Sequence, residues 1–356
     1  MGLGTIGRTF RRGCRTLTGR QRRQDQAMTV CSDTSAPALG LDIGGTKCAA
    51  GVVDPNGTVR SYARIATPSG TADDVWVAVV DLLRQVLQAA GISPRGRHEY
   101  SGTELAGVGI GCGGPMLWPA GVVSPLNLKA WSAFPLRESV SRLFANLPVR
   151  LVNDAICLAI AEHWCGAARG YSNVLGVVVS TGVGGGVIQH GRAVVGATGN
   201  AGHIGHIIVE PDGAPCECGG RGCLEAVARG PAIALWAVDH GWRPSNSSSG
   251  HTAESLAHDA ALGHDVAVAA FNRAGRALGI AFASALATLD VELVVLGGGV
   301  SRAGALLTEP MTAAMATYAR LPFTRSIPVV TPLLGDEAGV VGAAALIHAG
   351  DVHWPI

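Results

Sequence analysis

Charged and aromatic residues are both scarce in this chain of 356 residues. Charged side chains make up 15% of it and aromatic side chains 5%, whereas hydrophobic residues make up 48%. No stretch approaches the roughly 20 uninterrupted apolar residues of a membrane-spanning helix, and no apolar run follows the basic N-terminus as it would in a signal peptide. We therefore expect a soluble, cytoplasmic protein that buries a large core and is long enough for two domains or lobes.

Acidic and basic residues nearly balance, at a formal net charge of +1. The basic excess lies in residues 1–27, which contain one acid, Asp25, and seven arginines: Arg8, Arg11, Arg12, Arg15, Arg20, Arg22 and Arg23. Subtracting this segment leaves a net charge of about −5, which argues against nucleic-acid binding by bulk charge. We predict a disordered basic tail over residues 1–38, with Met28 as an alternative start. A polyanion-binding segment is the other interpretation of the arginines.

The common nucleotide-binding loops are absent, since the chain has no GxxxxGK[ST] motif and no GxGxxG that opens a helix after a strand. Its 50 glycines fall between stretches rich in Val, Ile, Leu and Ala, a pattern typical of alternating strands and helices. Residues 39–66 predict strand, glycine turn, strand, Asp-Pro-Asn-Gly turn and strand. Residues 173–194 repeat the strand, glycine turn and strand. This echo predicts an α/β protein with two related lobes.

The remaining hydrophobic periodicity predicts further strands and helices along the chain. The predicted strands cover residues 105–110, 149–154 and 291–301. The predicted helices cover residues 73–90, 154–166, 225–238, 265–288, 303–319 and 337–349.

Three glycine-rich turns follow hydrophobic strands and are candidates for phosphate binding. The first consists of Asp42, Gly44, Gly45, Thr46 and Lys47. Its glycines let backbone N–H groups approach an anion, Thr46 can donate its hydroxyl, and Asp42 can hold a hydrated Mg²⁺. The second turn covers residues 180–186 and the third residues 297–299. A single turn of this kind is usually only a turn, but three in one chain favour phosphate chemistry.

Asn153 and Asp154 stand at the exit of a predicted strand, where the two lobes should meet. A carboxylate there can act as a general base toward an attacking hydroxyl, and the neighbouring amide can hydrogen-bond other hydroxyls. An Asn-Asp pair at a strand end is also a common helix cap. The residues alone leave both roles open.

Three of the nine cysteines, Cys216, Cys218 and Cys223, lie close together, and His206 precedes them. One imidazole and three thiolates suit a closed tetrahedral Zn²⁺ site, and the nearby glycines let the chain wrap around an ion. This spacing favours a metal site over a disulfide framework, which agrees with a reducing compartment.

Together these stretches resemble the ROK family (repressors, open reading frames, sugar kinases), from Leu39 to the C-terminus. The most specific part is Gly205-His206 through Glu225, which follows the family's zinc motif GHxxx…CxCGxxGCxE. The resemblance implies a two-lobed actin-like ATPase (hexokinase/ribonuclease H-like) fold with a cleft between the lobes. We predict a small N-terminal lobe of residues 39–152 plus 336–356, and a large C-terminal lobe of residues 153–335 with a zinc-binding sugar loop at 202–225.

The resemblance also implies ATP-dependent phosphorylation of a hexose or an N-acylhexosamine at its 6-hydroxyl, with Asp154 as the catalytic base. The implied contacts to Mg²⁺ and ATP are those of Asp42, Gly44, Gly45, Thr46, Lys47, Thr181, Gly182, Gly184, Gly185, Gly298 and Gly299. The implied sugar contacts are those of Gly114, Asn127, Asn153, His203, His206 and Glu225. The implied ligands of a structural Zn²⁺ are His206, Cys216, Cys218 and Cys223.

The chain departs from the family at two places that bear on the sugar. It has Cys112-Gly113-Gly114-Pro115 where the family usually has Val-Pro-Gly-Pro, and a glycine in place of a proline loosens the loop. It also has His203 where the family's glucokinases carry a Glu. A His here is similar to bacterial N-acetylmannosamine kinases of the family, and it can donate to an acetamido carbonyl. The alternative is that His203 replaces one hydroxyl-binding group by another and glucose stays the substrate.

Two other functions are compatible with this family. Its repressors carry a helix-turn-helix segment before the kinase-like body, but residues 1–38 show no pair of amphipathic helices. A sugar sensor without kinase activity would be expected to have lost Asp154 or a glycine turn, and this chain retains both. We therefore expect a kinase, a homodimer as is common in the family, with no nucleic-acid or membrane partner. Polyphosphate is an alternative to ATP as the donor.

Overall fold

The computed structural model describes residues 36–93, 104–246 and 250–354. The predicted disordered tail lies outside the described residues except for residues 36–38, and the alternative start Met28 lies outside them too. Ala38 is the first residue of a strand, so the folded body begins one residue earlier than predicted.

The described residues contain twelve β-strands and ten α-helices. The strands are β1 (Ala38–Ile43), β2 (Lys47–Val53), β3 (Val59–Ala66), β4 (Val108–Cys112), β5 (Met116–Leu117), β6 (Val122–Val123), β7 (Val149–Asn153), β8 (Val174–Val179), β9 (Val183–Gln189), β10 (Arg192–Val194), β11 (Leu293–Gly297) and β12 (Val329–Val330). The helices are α1 (Ala72–Ala89), α2 (Leu136–Leu143), α3 (Asp154–Cys165), α4 (Leu224–Ala228), α5 (Gly230–Asp239), α6 (Ala253–Ala261), α7 (Asp265–Leu289), α8 (Ala305–Tyr318), α9 (Ala338–His348) and α10 (Gly350–His353).

One predicted strand is shifted along the chain. The strand expected at residues 105–110 lies at 108–112 instead. The preceding residues run beside the start of β1 without joining its ladder: the Ala106 N–H donates to the Pro37 carbonyl (2.8 Å), and the Leu39 N–H donates to the Gly107 carbonyl (3.0 Å). The observed strand ends at Cys112, next to the glycines of the loop that follows it.

The first sheet has the strand order β3-β2-β1-β4-β7. β1 pairs antiparallel with β2 and parallel with β4, which in turn pairs parallel with β7. The β2-β3 turn is the predicted Asp-Pro-Asn-Gly turn, in which Gly57 has φ +87° and the Asn56 Oδ1 accepts the Thr58 N–H (3.0 Å). Because β1, β4 and β7 are parallel, the residues that follow them meet at one edge of the sheet.

The second sheet repeats this connectivity with the strand order β10-β9-β8-β11-β12. β8 pairs antiparallel with β9 on one side and parallel with β11 on the other. The two hairpins, β1-β2 and β8-β9, are the ones that carry the first and second glycine turns. The sequence echo is thus confirmed as a repeated strand arrangement.

Among the described residues, α7 is the one helix with the length and apolarity of a membrane span, at a mean hydropathy of 1.2 over its most apolar window. Within the protein, 61% of that window is buried. Its buried side chains include Phe271, Leu278 and Phe282, which belong to the core that covers the second sheet. We therefore interpret α7 as a core helix.

Two helices connect the sheets. α9 lies against β1, β2 and β4 of the first sheet, and α3 lies against β8 and β9 of the second. The helices also pack against each other, and Gly342 permits this because a Cβ there would overlap the Cys157 carbonyl. These contacts group α9 with the first sheet, as in the predicted small lobe. The lobe boundaries themselves stay a prediction.

A buried carboxylate ties α3 to the segment that leads into α9. Glu162 is 0% exposed. Its Oε2 accepts the N–H groups of Ala167 (2.7 Å) and Leu333 (3.1 Å), and its Oε1 accepts the N–H of Leu334 (3.0 Å). These bonds replace the hydration that the carboxylate loses on burial.

We expect Glu162→Gln to lower the free energy of unfolding by about 1–3 kcal/mol, because the amide N–H₂ faces backbone donors that then lack an acceptor. Urea denaturation followed by tryptophan fluorescence measures the change. The matched control is Glu138→Gln, at an exposed ion pair with Arg142, which should shift the unfolding free energy by less than about 0.5 kcal/mol. An unchanged midpoint for E162Q would contradict this role of Glu162.

Candidate active site

The ends of three parallel strands form the base of the site. In the first sheet Ile43 lies beside Cys112, and Cys112 lies beside Asn153. The first glycine turn, the Gly113-Gly114 loop and the Asn153-Asp154 pair therefore leave the sheet at the same edge. The register explains how motifs far apart in the sequence come together.

Two carboxylates face each other at this edge. Burial raises the pKa of Asp42 to about 7; the Asp154 carboxylate acts in the same direction, and Lys47 opposes it. Burial also raises the pKa of Asp154, against hydrogen bonds from the backbone N–H groups of Ala155 and of Asp154 itself. Two desolvated carboxylates that repel each other favour a cation or a proton between them, as expected of a functional site rather than a structural pair.

The first glycine turn is fixed by short hydrogen bonds and lies against Asn127. The Gly44 N–H donates to the Lys47 carbonyl (2.9 Å), and the Thr67 hydroxyl donates to the Gly44 carbonyl (2.7 Å). A Cβ at Gly45 would lie 2.6 Å from the Asn127 Cβ. Thr46 and Lys47 are exposed at its tip. The predicted sugar ligand Asn127 is thus in contact with the turn that is predicted to bind phosphate.

The second glycine turn meets the same asparagine from the opposite sheet. A Cβ at Gly182 would lie 3.1 Å from the Asn127 Nδ2 and 2.8 Å from the Glu225 Oε2. That Oε2 accepts the Val183 N–H (2.7 Å). Asn127 and Glu225, both predicted to bind sugar, therefore stand between the two predicted phosphate turns.

The later glycines of the second turn have packing neighbours. A Cβ at Gly184 would lie 2.9 Å from the Ala155 Cβ, and one at Gly185 would lie 2.7 Å from the Gly202 carbonyl oxygen. Both positions let other backbone segments approach β9 closely. Their predicted contacts with the nucleotide, and that of Thr181, remain predictions.

The third glycine cluster lies behind the second turn. Gly298 has φ +96°, which favours glycine, and a Cβ at Gly299 would lie 3.9 Å from the Ser180 Oγ. The Gly230 N–H, at the start of α5, donates to the Ser180 carbonyl (2.8 Å). The third cluster therefore packs against Ser180, the first residue of the second turn.

Polar side chains surround Gly114, and we call this group of residues the Gly114 pocket. A Cβ there would lie 3.3 Å from the Asn153 Nδ2, the Asn200 Oδ1 and the His203 Cε1. Burial lowers the pKa of His203, with His206 acting in the same direction and Glu225 opposing it. A neutral imidazole offers one donor and one acceptor, which suits hydroxyl or amide groups of a ligand.

Two residues of this site escaped the sequence analysis. Asn200 is one wall of the Gly114 pocket, and Gly339 is the position at which a Cβ would overlap the Asp42 carboxylate. Asn200 follows Gly199, whose φ is +82°, and a glycine-rich loop next to a predicted sugar ligand was the one available signal. Gly339 had no local signal, because only the tertiary fold brings α9 to Asp42.

His206, Cys216, Cys218 and Cys223 converge as predicted, and their ligand atoms all lie within 4.8 Å of one another. The distance from the His206 Nδ1 to the Cys216 Sγ is 3.8 Å, and that between the Cys218 and Cys223 Sγ atoms is also 3.8 Å. A tetrahedral ion with Zn–S bonds of about 2.3 Å would hold its ligand atoms about 3.8 Å apart. The donor set and its spacing therefore fit zinc.

Comparisons with known proteins identify the family of this chain. The sequence model of the ROK family matches residues 38–350. The chain is 32% identical to a glucokinase from Thermotoga maritima over 321 residues, which cover 87% of this chain and 96% of the relative. It is 37% identical to an N-acetylmannosamine kinase from Yersinia pseudotuberculosis over 311 residues, which cover 87% of this chain and 98% of the relative.

The fold agrees as well. A ROK family glucokinase from Streptomyces griseus, solved in complex with glucose and AMPPNP, superposes with a TM-score of 0.74 at 31% identity, covering 87% of this chain and 99% of that one. The two repeated sheets are thus those of the actin-like ATPase fold, and the chain belongs to the ROK family, as one of its sugar kinases.

Proposed function

We propose that the protein transfers phosphate from Mg-ATP to the 6-hydroxyl of a hexose or an N-acylhexosamine, with Asp154 as the general base. The observation that carries this proposal is the position of Asp154. It stands at the strand edge shared with Asp42, beside the loop that carries Gly113 and Gly114. Relatives that act on glucose and on N-acetylmannosamine support a sugar acceptor.

The two oxygens of Asp154 have different surroundings. Its Oδ1 accepts the Ala155 N–H (2.8 Å), and its Oδ2 lies 3.9 Å from the position of a Cβ at Gly113. The raised pKa of Asp154 is closer to the pKa of an effective general base at neutral pH. The Asn153 amide, beside it, is placed to orient a second hydroxyl of the sugar.

We assign Asp42 and the glycine turns to the binding of Mg-ATP, the phosphoryl donor. Asp42 would hold the hydrated Mg²⁺ of Mg-ATP, and this ion neutralises charge that develops on the transferred phosphoryl group. The backbone N–H groups near Gly45 and Gly182 would bind phosphate oxygens. Positioning and electrostatic stabilisation supply most of the acceleration in such a reaction.

The four ligands His206, Cys216, Cys218 and Cys223 would hold one structural zinc ion. A set of four protein ligands leaves no open coordination position, so the ion organises the loop and takes no part in the transfer. The loop around it carries His203 and Glu225, and in this way the metal would order the sugar site.

The choice of sugar is assigned to His203. Its imidazole lies beside Gly114 and Asn153, and it can donate to an acetamido carbonyl, which a Glu carboxylate cannot do. We therefore propose an N-acylhexosamine, with N-acetylmannosamine first, over glucose.

We expect His203→Glu to raise kcat/KM for glucose and to lower it for N-acetylmannosamine, each by about tenfold, because the carboxylate can accept a hydrogen bond from a glucose hydroxyl but cannot donate one to the acetamido carbonyl. Initial rates with both sugars measure the change. The control is His190→Glu at an exposed turn, which should leave the ratio unchanged. Identical ratios for wild type and H203E would remove His203 from the specificity argument.

The proposed function is tested by ADP release from Mg-ATP with glucose, N-acetylmannosamine, N-acetylglucosamine and mannose. Formation of the sugar phosphate is the readout when polyphosphate replaces ATP. Turnover of one of these sugars supports the kinase. Binding of a sugar without turnover of any would support a sensor instead.

A further inference from the structure

The loop that carries His203 is joined to the loop that carries Gly114 by one side chain. The Asn200 Oδ1 accepts the Met116 N–H (3.1 Å), and the Asn200 Nδ2 donates to the Met116 carbonyl (3.0 Å). The side-chain amide thus occupies both hydrogen-bonding groups of one backbone residue, as a neighbouring strand would. We call this pair of bonds the Asn200 clamp.

Hydrogen bonds connect Met116 and the two residues before it to the segment that precedes Asn127. Met116 follows Gly114 and Pro115 directly, the Leu126 N–H donates to the Gly114 carbonyl (3.2 Å), and the Ser124 N–H donates to the Pro115 carbonyl (2.9 Å). Leu126 precedes the predicted sugar ligand Asn127. The clamp therefore fixes the His203 loop relative to a hydrogen-bonded segment that carries two predicted sugar contacts, Gly114 and Asn127.

The loop also packs against its surroundings, since Gly199 lies against Trp118 and Gly202 lies against Gly185. Gly196, Gly199 and Gly202 have φ values of +77°, +82° and +87°, so glycine recurs at every third position and the backbone is free to adopt other conformations. Within the loop, the Ala201 N–H donates to the Val195 carbonyl (3.1 Å). The Asn200 Nδ2 also lies near the Thr198 carbonyl (3.0 Å) and the Thr198 Oγ1 (3.1 Å), which are contacts within the loop.

We infer that Asn200 is a specificity-determining positioning residue: through the clamp it sets the position of the His203 loop relative to Gly114, and so which substituent of the sugar, a hydroxyl or an N-acyl group, the His203 imidazole can reach. This inference rests on the proposed function in that it places the sugar in the Gly114 pocket. Asn200 influences the sugar through the positions of Gly114 and His203 and does not bind it directly, because its side-chain oxygen and its side-chain N–H₂ group are already bonded to Met116.

The test compares Asn200→Ala, which removes both bonds, with Asn200→Asp, which keeps the acceptor for the Met116 N–H and places a carboxylate oxygen against the Met116 carbonyl. Thr198→Ala is the matched control, since it removes the hydroxyl contact within the loop and leaves the clamp intact. The readout is the ratio of kcat/KM for N-acetylmannosamine to that for mannose, together with the ratio of their Kd values from calorimetry without ATP.

The expected result is a change of at least about tenfold in both ratios for N200A and a smaller change in the same direction for N200D. The KM for ATP should stay within about twofold, and T198A should keep the wild-type ratios. A purely structural role would instead lower kcat for both sugars equally and leave the ratios unchanged.

Unchanged ratios in a folded N200A or N200D protein would overturn the inference. If the N200A protein does not fold, the ratios of the N200D protein serve as the test. If the wild type binds sugars without turning them over, the proposed kinase fails while the Kd ratios still test the clamp. If the wild type binds no sugar, the pocket assignment fails and the inference is overturned with it.

Discussion

Replacing Asp154 by Asn is expected to lower kcat for sugar phosphorylation by a factor of about 10²–10⁴, the contribution typical of a positioned general base. The substitution keeps the shape of the side chain and an acceptor for the Ala155 N–H, which the Asn153 Oδ1 also accepts (3.0 Å). Helix α3 should therefore start as in the wild type. The KM for the sugar should change little, because the amide can still hydrogen-bond the 6-hydroxyl.

Steady-state kinetics with the preferred sugar measure this effect, and circular dichroism verifies the fold. Asp81→Asn is the matched control, since Asp81 forms an exposed ion pair with Arg84 on α1, and its kcat should equal that of the wild type. A D154N variant with more than about a tenth of the wild-type kcat would assign the proton transfer to another group.

Replacing Cys218 by Ser is expected to deplete zinc and to lower kcat/KM for the sugar by at least about 100-fold, since even the loss of an outer partner of a metal ligand costs 10–100-fold. Cys218 is exposed, unlike Cys216 and Cys223, so the change creates no cavity in the core. What it removes is one of the four ligands that would hold the loop around the ion.

Metal analysis of the purified protein should give about one zinc ion per chain, and C218S should contain much less. Cys165→Ser is the matched control: this thiol lies outside the cluster and contacts the Ala161 carbonyl (3.7 Å), so zinc content and activity should be retained. Full activity in a metal-free preparation of the wild type would contradict a structural zinc.

Local patterns in the sequence were sufficient for much of the fold. The Asp-Pro-Asn-Gly turn, the helix over residues 72–89 and the two hairpins each carry their own signal, because turn glycines, capping residues and hydrophobic spacing act over a few residues. The convergence of His206 with three cysteines was predictable for the same reason, since the three thiols lie in one short segment.

Contacts between distant segments were harder to predict from the sequence. Asn200 and Met116 are 84 residues apart, and a hydrogen bond from a side chain to a distant backbone leaves no periodic trace in the sequence. Likewise, the need for a glycine at position 339 arises only from the tertiary contact between α9 and Asp42. The strand at 108–112 was misplaced because Leu105 continues the apolar run although its neighbours pair outside the ladder.

The bond between the Glu225 carboxylate and the Val183 N–H has a consequence for substrate binding. Glu225 follows the last zinc ligand, whereas Val183 belongs to a turn assigned to the nucleotide, and the bond joins them at 2.7 Å. Order in one segment therefore favours order in the other. Because such coupling is reciprocal at equilibrium, the factor by which the sugar raises the affinity for ATP must equal the factor by which ATP raises the affinity for the sugar. We expect the two substrates to bind with positive cooperativity, in either order of addition.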